Sequence, residues 1–128
     1  MKVAVGRRSE WSIGDSADDG LEVLHPCMVQ SDSDGKTHPV GLKPANAFAL
    51  CDIVGDVWQW TEECYADNYT KAPTDGRPKR VGNDCLRVDR GGSWLYSAWL
   101  LRSATRERNL SDYLDAIMGF RMARTLSP

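Results

Sequence analysis

The sequence predicts one small domain of short β-strands joined by long, ordered loops, and three observations lead there. Three of the five tryptophans fall in Gly55-Asp-Val-Trp-Gln-Trp60 and Arg90-Gly-Gly-Ser-Trp94. Together with Gly119-Phe-Arg121 these segments are short, rich in glycine and charge, and show no helical period. Tryptophan is costly to expose and needs a partner for its N–H when buried, so such clusters mark a core with specified contacts. Apolar and polar residues alternate only in brief bursts, as short strands require, and convincing amphipathic helices are absent. The intervals between bursts are rich in Asp, Asn, Pro and Gly, the residues of turns and loops.

Composition bounds the function classes. A chain of 128 residues allows a single core and is too small for two ordinary ones. Its 41% hydrophobic and 27% charged content lies far from the disordered regime. With a net charge of −2 nothing global attracts nucleic acid or an anionic membrane, and neither is expected as a partner. No apolar run approaches the roughly 20 residues of a membrane span. Met1-Lys-Val-Ala-Val-Gly-Arg-Arg8 is too short in apolar residues for a secretory signal, so the expected location is cytoplasmic.

Read in order, residues 9–38 are loop formers. Asp32-Ser-Asp34-Gly35 has a faint calcium-loop look but lacks the closing glutamate, so a solvated loop is expected. Leu42–Asn46 reads as a turn, followed by the apolar run Ala47–Cys51. Val57-Trp-Gln-Trp60 alternates like a strand, with both tryptophans on one side. Residues 66–85 form a long polar loop. Leu86–Arg90 alternates again, as does part of Leu100–Arg106. Gly91-Gly92 suggests a bulge or a close approach of backbones. Asn109–Ala116 has room for one or two helical turns, and Ile117–Ala123 is a last short strand.

The four cysteines form no C-x-x-C, and His25 and His38 sit at no ligand spacing, so a zinc site is not expected. Cys51 reads as a small buried hydrophobe. Cys64 and Cys85 flank the polar loop. Paired, they would close about 20 residues and contribute about 3 kcal/mol in an oxidising compartment; two reduced thiols fit the sequence equally well. Arg102, Arg106, Arg108 and Arg121 lie among Glu107, Asp112 and Asp115. Arginines in such company tie loops together through carboxylates and carbonyls more readily than they form a phosphate-binding patch.

Gly41-Leu, Asn46-Ala-Phe-Ala-Leu-Cys-Asp-Ile-Val-Gly-Asp-Val-Trp-Gln-Trp-Thr61, Arg90-Gly-Gly-Ser-Trp94, Arg102-Ser-Ala-Thr-Arg106 and Gly119-Phe-Arg121 resemble, in order and spacing, the formylglycine-generating-enzyme (sulfatase-modifying factor) domain. The likeness covers about residues 38–124 of one domain, 1–128, and residues 1–37 match poorly. It implies an α+β fold of the C-type lectin-like type. Glu10-Trp-Ser-Ile-Gly-Asp15 corresponds weakly to the middle of the family domain, which is usually about twice this length. The resemblance therefore implies a missing N-terminal half and exposed strand edges. The expected partner is a second copy in a C2 homodimer, or a chain supplying that half.

Active members of the family carry two cysteines shortly after Gly-Gly-Ser, which bind copper as thiolates. Here that interval reads Leu95-Tyr-Ser-Ala-Trp-Leu-Leu101, and no cysteine follows Cys85, so no catalytic residue is expected. The family also holds a structural calcium. Carried over, its ligands are the Asp52 carboxylate, the Gly55 and Val57 carbonyls and the Gln59 side chain, although the family's usual glutamate is replaced at Gln59. The alternative is that Asp52 and Gln59 bond to loop N–H groups with no ion.

The expected function is therefore a non-catalytic binding or interaction module. Its face would comprise the irregular segments between the motifs, Leu95–Trp99 and Glu107–Ala116. Leu95, Tyr96, Ser97, Trp99, Glu107, Asn109, Ser111, Tyr113 and Asp115 supply the amphipathic anchors and adaptable polar contacts that binding surfaces favour. The frame from Arg90–Trp94 to Gly119–Arg121 also resembles the variable ligand-binding proteins diversified by retroelements. One alternative is an oxygen-dependent oxidoreductase branch, whose iron is held by histidines of a separate domain. With His25 and His38 alone, this chain would supply at most a wall of that site. Another is one part of a split domain. The ligand class, whether protein, sugar or small molecule, is left open by a lectin-like fold.

Overall fold

The structure is a computed structural model that describes residues 30–82, 84–97 and 100–123. The expectations placed on Met1–Arg8, Glu10–Asp15, His25, Cys27 and Trp99 lie outside the described residues. Four strands, β1 (Trp58–Cys64), β2 (Arg87–Arg90), β3 (Glu107–Asn109) and β4 (Met118–Gly119), form one sheet in the order β3-β2-β1-β4. β2 runs antiparallel to both β1 and β3, and β4 runs parallel to β1. No helix among the described residues is long and apolar enough to cross a membrane.

β1 grows from the Val57–Trp60 alternation and continues to Cys64. Gln59 pairs with Arg90 and Trp60 with Asp89, and the register then shifts before Cys64 meets Arg87. The extra residues of β1 make a bulge, which bends the strand where the polar loop departs. That loop is closed at its base: Cys64 is bonded to Cys85, with Cα atoms 5.6 Å apart. The Cys64 N–H donates to Lys79 O at 2.8 Å, and the Tyr65 N–H to Leu86 O at 2.8 Å.

The apolar core of the described residues is small: Val54, Trp58, Cys64, Val88 and Leu101. Trp58, 2% exposed, meets the Tyr96 ring edge-on at 5.7 Å between centroids. Such a core needs polar knitting, and the motifs supply it. The Gly55 N–H donates to Gly91 O at 2.8 Å, the Trp94 N–H to Asp56 O at 2.9 Å, and the Trp58 N–H to Ile117 O at 2.7 Å. Gly91 and Gly92 have φ of 96° and 72°, and both are places of close approach. A Cβ on Gly91 would stand 2.8 Å from Ile53 O, and one on Gly92 would run into the Leu101 side chain.

Several expectations need correction. The strand expected within Leu100–Arg106 is found instead at Glu107–Asn109, and the last strand is only Met118–Gly119. Asn109–Ala116 makes hydrogen-bonded turns in place of helix, with Tyr113 N to Leu110 O at 3.0 Å and Met118 N to Asp115 O at 3.1 Å. The Asp32–Gly35 loop is solvated as expected, with Asp32, Asp34 and Gly35 exposed, but it is pinned at Ser33, which is fully buried and whose hydroxyl donates to Trp94 O at 3.3 Å. Cys51 is a free, half-buried thiol where a buried one was expected.

Candidate functional site

Asp52 and Gln59 converge on Arg121. Gln59 Nε2 donates to Asp52 O at 2.6 Å, and its Oε1 accepts from Arg121 Nε at 3.1 Å. The Arg121 guanidinium also donates to Cys51 O at 2.7 Å and Asp52 O at 3.2 Å. Asp52 spends a carboxylate oxygen on the Gly41 N–H at 2.7 Å. Asp52 and Gln59, expected either on calcium or on loop groups, thus have partners within the protein. Of the four expected ligands, the Gln59 side-chain oxygen already accepts from Arg121, an Asp52 carboxylate oxygen accepts from Gly41, and only Asp52 carries negative charge. Among the described residues no group of three or more His, Cys, Asp or Glu side chains could hold a metal ion.

The side chains on one sheet face make a different arrangement. Directly paired residues on neighbouring strands share a face. The registers therefore place Trp60, Asp89 and Glu107 in one row across β1, β2 and β3. Asp89 is 1% exposed. Its Oδ2 accepts from Asn109 Nδ2 at 3.1 Å, and its Oδ1 is buried with no hydrogen-bond partner. Burial pushes the Asp89 carboxyl above its ordinary 3.8, the Asn109 and backbone bonds pull it back, and the Glu107 charge adds to the rise.

Tyr113 and Asp115 stand beside this row. The Tyr113 hydroxyl donates to Asp115 Oδ2 at 2.8 Å, and the Ile117 N–H donates to Asp115 Oδ1 at 3.1 Å. The bond to Asp115 raises the Tyr113 phenol, with smaller contributions that include the charges of Tyr96 and Asp89. The same bond lowers the Asp115 carboxyl. Tyr96 rests on Trp58, on a loop in which the Leu95 N–H donates to Ser93 Oγ and Ser97 bonds Gln30. Of the expected ligand-face residues, Glu107 and Asn109 thus flank Asp89, Tyr113 pairs with Asp115, and Tyr96 packs on Trp58. Leu95 and Ser97 are exposed on the loop of Tyr96, and Ser111 is exposed in the turn before Tyr113. Asp89 itself was missed by the sequence reading, because an aspartate in an alternating segment looks like an outward residue.

The opposite sheet face is built from arginine and tyrosine. Arg90 bonds Tyr69 Oη at 2.6 Å and Ser103 O at 3.2 Å. Arg106 lies over the Tyr65 and Tyr69 rings and donates to Ala66 O at 3.0 Å, while Arg108 covers Tyr65. These contacts tie the 66–85 loop to the sheet. An open depression of about 380 Å³ lies beside them, lined in part by Asp67, Lys71 and Lys79.

A small sheet with long ordered loops knit by polar motifs defines a C-type lectin-like domain of the sulfatase-modifying type. Residues 3–126 match the sulfatase-modifying factor enzyme 1-like domain, and the chain belongs to that family. It is 31% identical over 132 residues to the serine/threonine-protein kinase pkn1 of Chlamydia caviae, covering 94% of this chain and 21% of the kinase. It is 32% identical over 97 residues to the formylglycine-generating enzyme of Mus musculus, covering 68% of this chain and 24% of the enzyme. It is 31% identical over 115 residues to the inactive C-alpha-formylglycine-generating enzyme 2 of Bos taurus, covering 86% of this chain and 30% of that protein. The chain thus spans less than a third of the length of these relatives. Among solved structures, Treponema denticola variable protein 1 superposes with a TM-score of 0.74 at 29% identity, covering 91% of this chain and 41% of that one.

Proposed function

We propose that this chain is a non-catalytic binding module whose ligand face is the Asp89 side of the sheet with the segments 95–97 and 107–116. The carrying observation is that Glu107 and Asn109 flank Asp89 on the sheet face that also carries Trp58 with Tyr96 packed on it, within an interval that has no cysteine to bind copper. Tyrosines supply rigid contact area at little entropic cost, and the Ser, Asn and Asp side chains supply adaptable hydrogen bonds. Likeness to an inactive relative and to a protein named as variable supports this reading. The experiment is a binding screen against panels of immobilised peptides, proteins and glycans, repeated with Tyr96→Ala and Tyr113→Ala and with Tyr69→Ala as an opposite-face control. Ligands lost with the first two and kept with the control support the module. Ligands indifferent to both, or production of formylglycine in a sulfatase-type peptide, would overturn it.

The reading includes a second copy or a partner chain over the apolar segment that follows the last strand. Phe120 and Met122 are 75% and 87% exposed, which is unusual for adjacent large apolar groups in a lone domain. Sedimentation equilibrium checks this: a monomer at all concentrations, with no partner recovered, removes it. The Cys64–Cys85 bond favours an oxidising compartment over the cytoplasmic location expected from the N-terminus.

A further inference from the structure

The depression beside the 66–85 loop is a concave feature away from the Asp89 face. Ala66, Asp67, Asn68, Thr70, Lys71 and Lys79 line its volume of about 380 Å³. That lies at the small end of the roughly 300–1,000 Å³ of ligand pockets. Its walls are fixed on both limbs of the loop. On one limb the Ala66 carbonyl accepts from Arg106, the Asn68 side chain accepts from the Thr70 N–H at 3.0 Å, and the Ala72 N–H donates to Tyr69 O at 2.9 Å. On the other, Lys79 O accepts from the Cys64 N–H, beside the disulfide. The charge around it is lopsided. None of the ion pairs among the described residues engages Lys71 or Lys79, although Lys79 is half-buried. Asp67 is the only carboxylate among the lining residues, and Arg108 faces it at 3.6 Å. In a chain of net charge −2 this is a local surplus of cations around a concave surface.

We propose that this depression binds a hydroxylated anion the size of one sugar ring, either a sugar acid or a sugar phosphate. A carboxylate or phosphate group accepts several hydrogen bonds, which suits two ammoniums that carry three donors each and no acceptor. Such charge-assisted bonds are stronger than neutral ones. The rest of the lining is mixed: the Asp67 carboxylate accepts, the Asn68 amide can donate, and the Thr70 hydroxyl does both. Ring hydroxyls, each a donor and an acceptor, match that mixture. A bare inorganic anion would offer Asp67 no donor and would leave most of the volume unfilled. A neutral sugar would leave both lysines without a counter-charge.

This site is separate from the Asp89-side module and does not rest on it. The test is a titration of the full chain, followed by ¹H–¹⁵N correlation spectra, with four probes: glucuronic acid, glucose 6-phosphate, glucose and inorganic phosphate. Saturable shifts at Asn68, Thr70 and Lys71 are expected with glucuronic acid or glucose 6-phosphate, and the tighter of the two identifies the anionic group. Glucose and inorganic phosphate should each bind at least tenfold more weakly. Lys79→Gln should weaken the response severalfold. Lys71→Gln, at an exposed position, should do the same and keeps the test valid if the first variant misfolds. No response to either sugar anion, an equal response to glucose or to inorganic phosphate, or a response indifferent to Lys71→Gln would overturn the site. A panel ligand lost with Lys71→Gln belongs to this depression, and the binding module is judged on the ligands that this variant keeps. If both sugar anions fail while panel ligands still depend on Tyr96 and Tyr113, the depression site falls and the module stands.

Discussion

Asp89 stands directly opposite Glu107 across β2 and β3, and the same Asp89 is buried. The pair has a consequence for stability. The folded chain holds the Asp89 proton more tightly than the unfolded chain, because burial raises its carboxyl above 3.8. Such a group contributes stability that is fully present below the unfolded value and is lost as pH rises through the folded one. At neutral pH Asp89 is therefore a net cost. Asp89→Asn should be more stable than the wild type at neutral pH, and the difference should shrink as pH falls toward 3.8. Comparing the two proteins cancels the opposite trend of Asp115, whose lowered carboxyl makes stability fall in acid. Denaturant titrations at several pH values check this; a difference that does not change with pH contradicts it.

The glycines differ in what they tolerate. Gly35 and Gly92 both have positive φ, but only Gly92 faces a buried side chain. Gly35→Ala should cost roughly 1–2 kcal/mol from backbone conformation alone. Gly92→Ala should add roughly 1–3 kcal/mol of overpacking against Leu101. Equal losses in the two variants would show that Gly92 is not a packing position.

Arg121 joins the last motif to the first through Gln59, Cys51 and Asp52. A lysine cannot reproduce that planar fork. Arg121→Lys should lower stability by roughly 2–3 kcal/mol, since bonds to a charged donor are worth about 1.5–3 kcal/mol each and lysine keeps some of them. Because the Gln59 oxygen expected on calcium already accepts from Arg121, added calcium should leave the wild-type melting temperature unchanged. A saturable rise would contradict the Arg121 arrangement.

Reduction should loosen the 66–85 loop. Cys64 and Cys85 are separated by 21 residues, a closure worth about 3 kcal/mol in the chain-entropy account. Cys85→Ser should lower the melting temperature accordingly, and dithiothreitol should do the same to the wild type. Unchanged melting in both would mean that the bond is not formed in solution.

Much of this was legible in the residues, and the parts that were not share a cause. The Val57–Trp60 alternation located β1, and Gly91-Gly92 announced the close approach to Ile53 and Leu101. β3 was placed several residues too early. Leu100–Arg106 alternates because Leu101 fills the space under Gly92 and Arg106 reaches the Tyr65 and Tyr69 rings, whereas the true strand, Glu-Arg-Asn, is an edge strand held by its pairing with β2. Asp89 escaped notice for a related reason. Its neighbours across the sheet, Trp60 and Glu107, lie on other strands, and such non-local pairing leaves no mark in the local pattern. Arg121 likewise sits at a recognisable motif position, but its contact with Gln59 spans 62 residues.

The most direct test of the central claim is the footprint of a ligand recovered from the screen, read by hydrogen–deuterium exchange. The account predicts protection at residues 95–97 and 107–115, with the loop at 66–72 unchanged. Protection confined to the Asp67–Lys71 depression, with residues 107–115 unaffected, would contradict it.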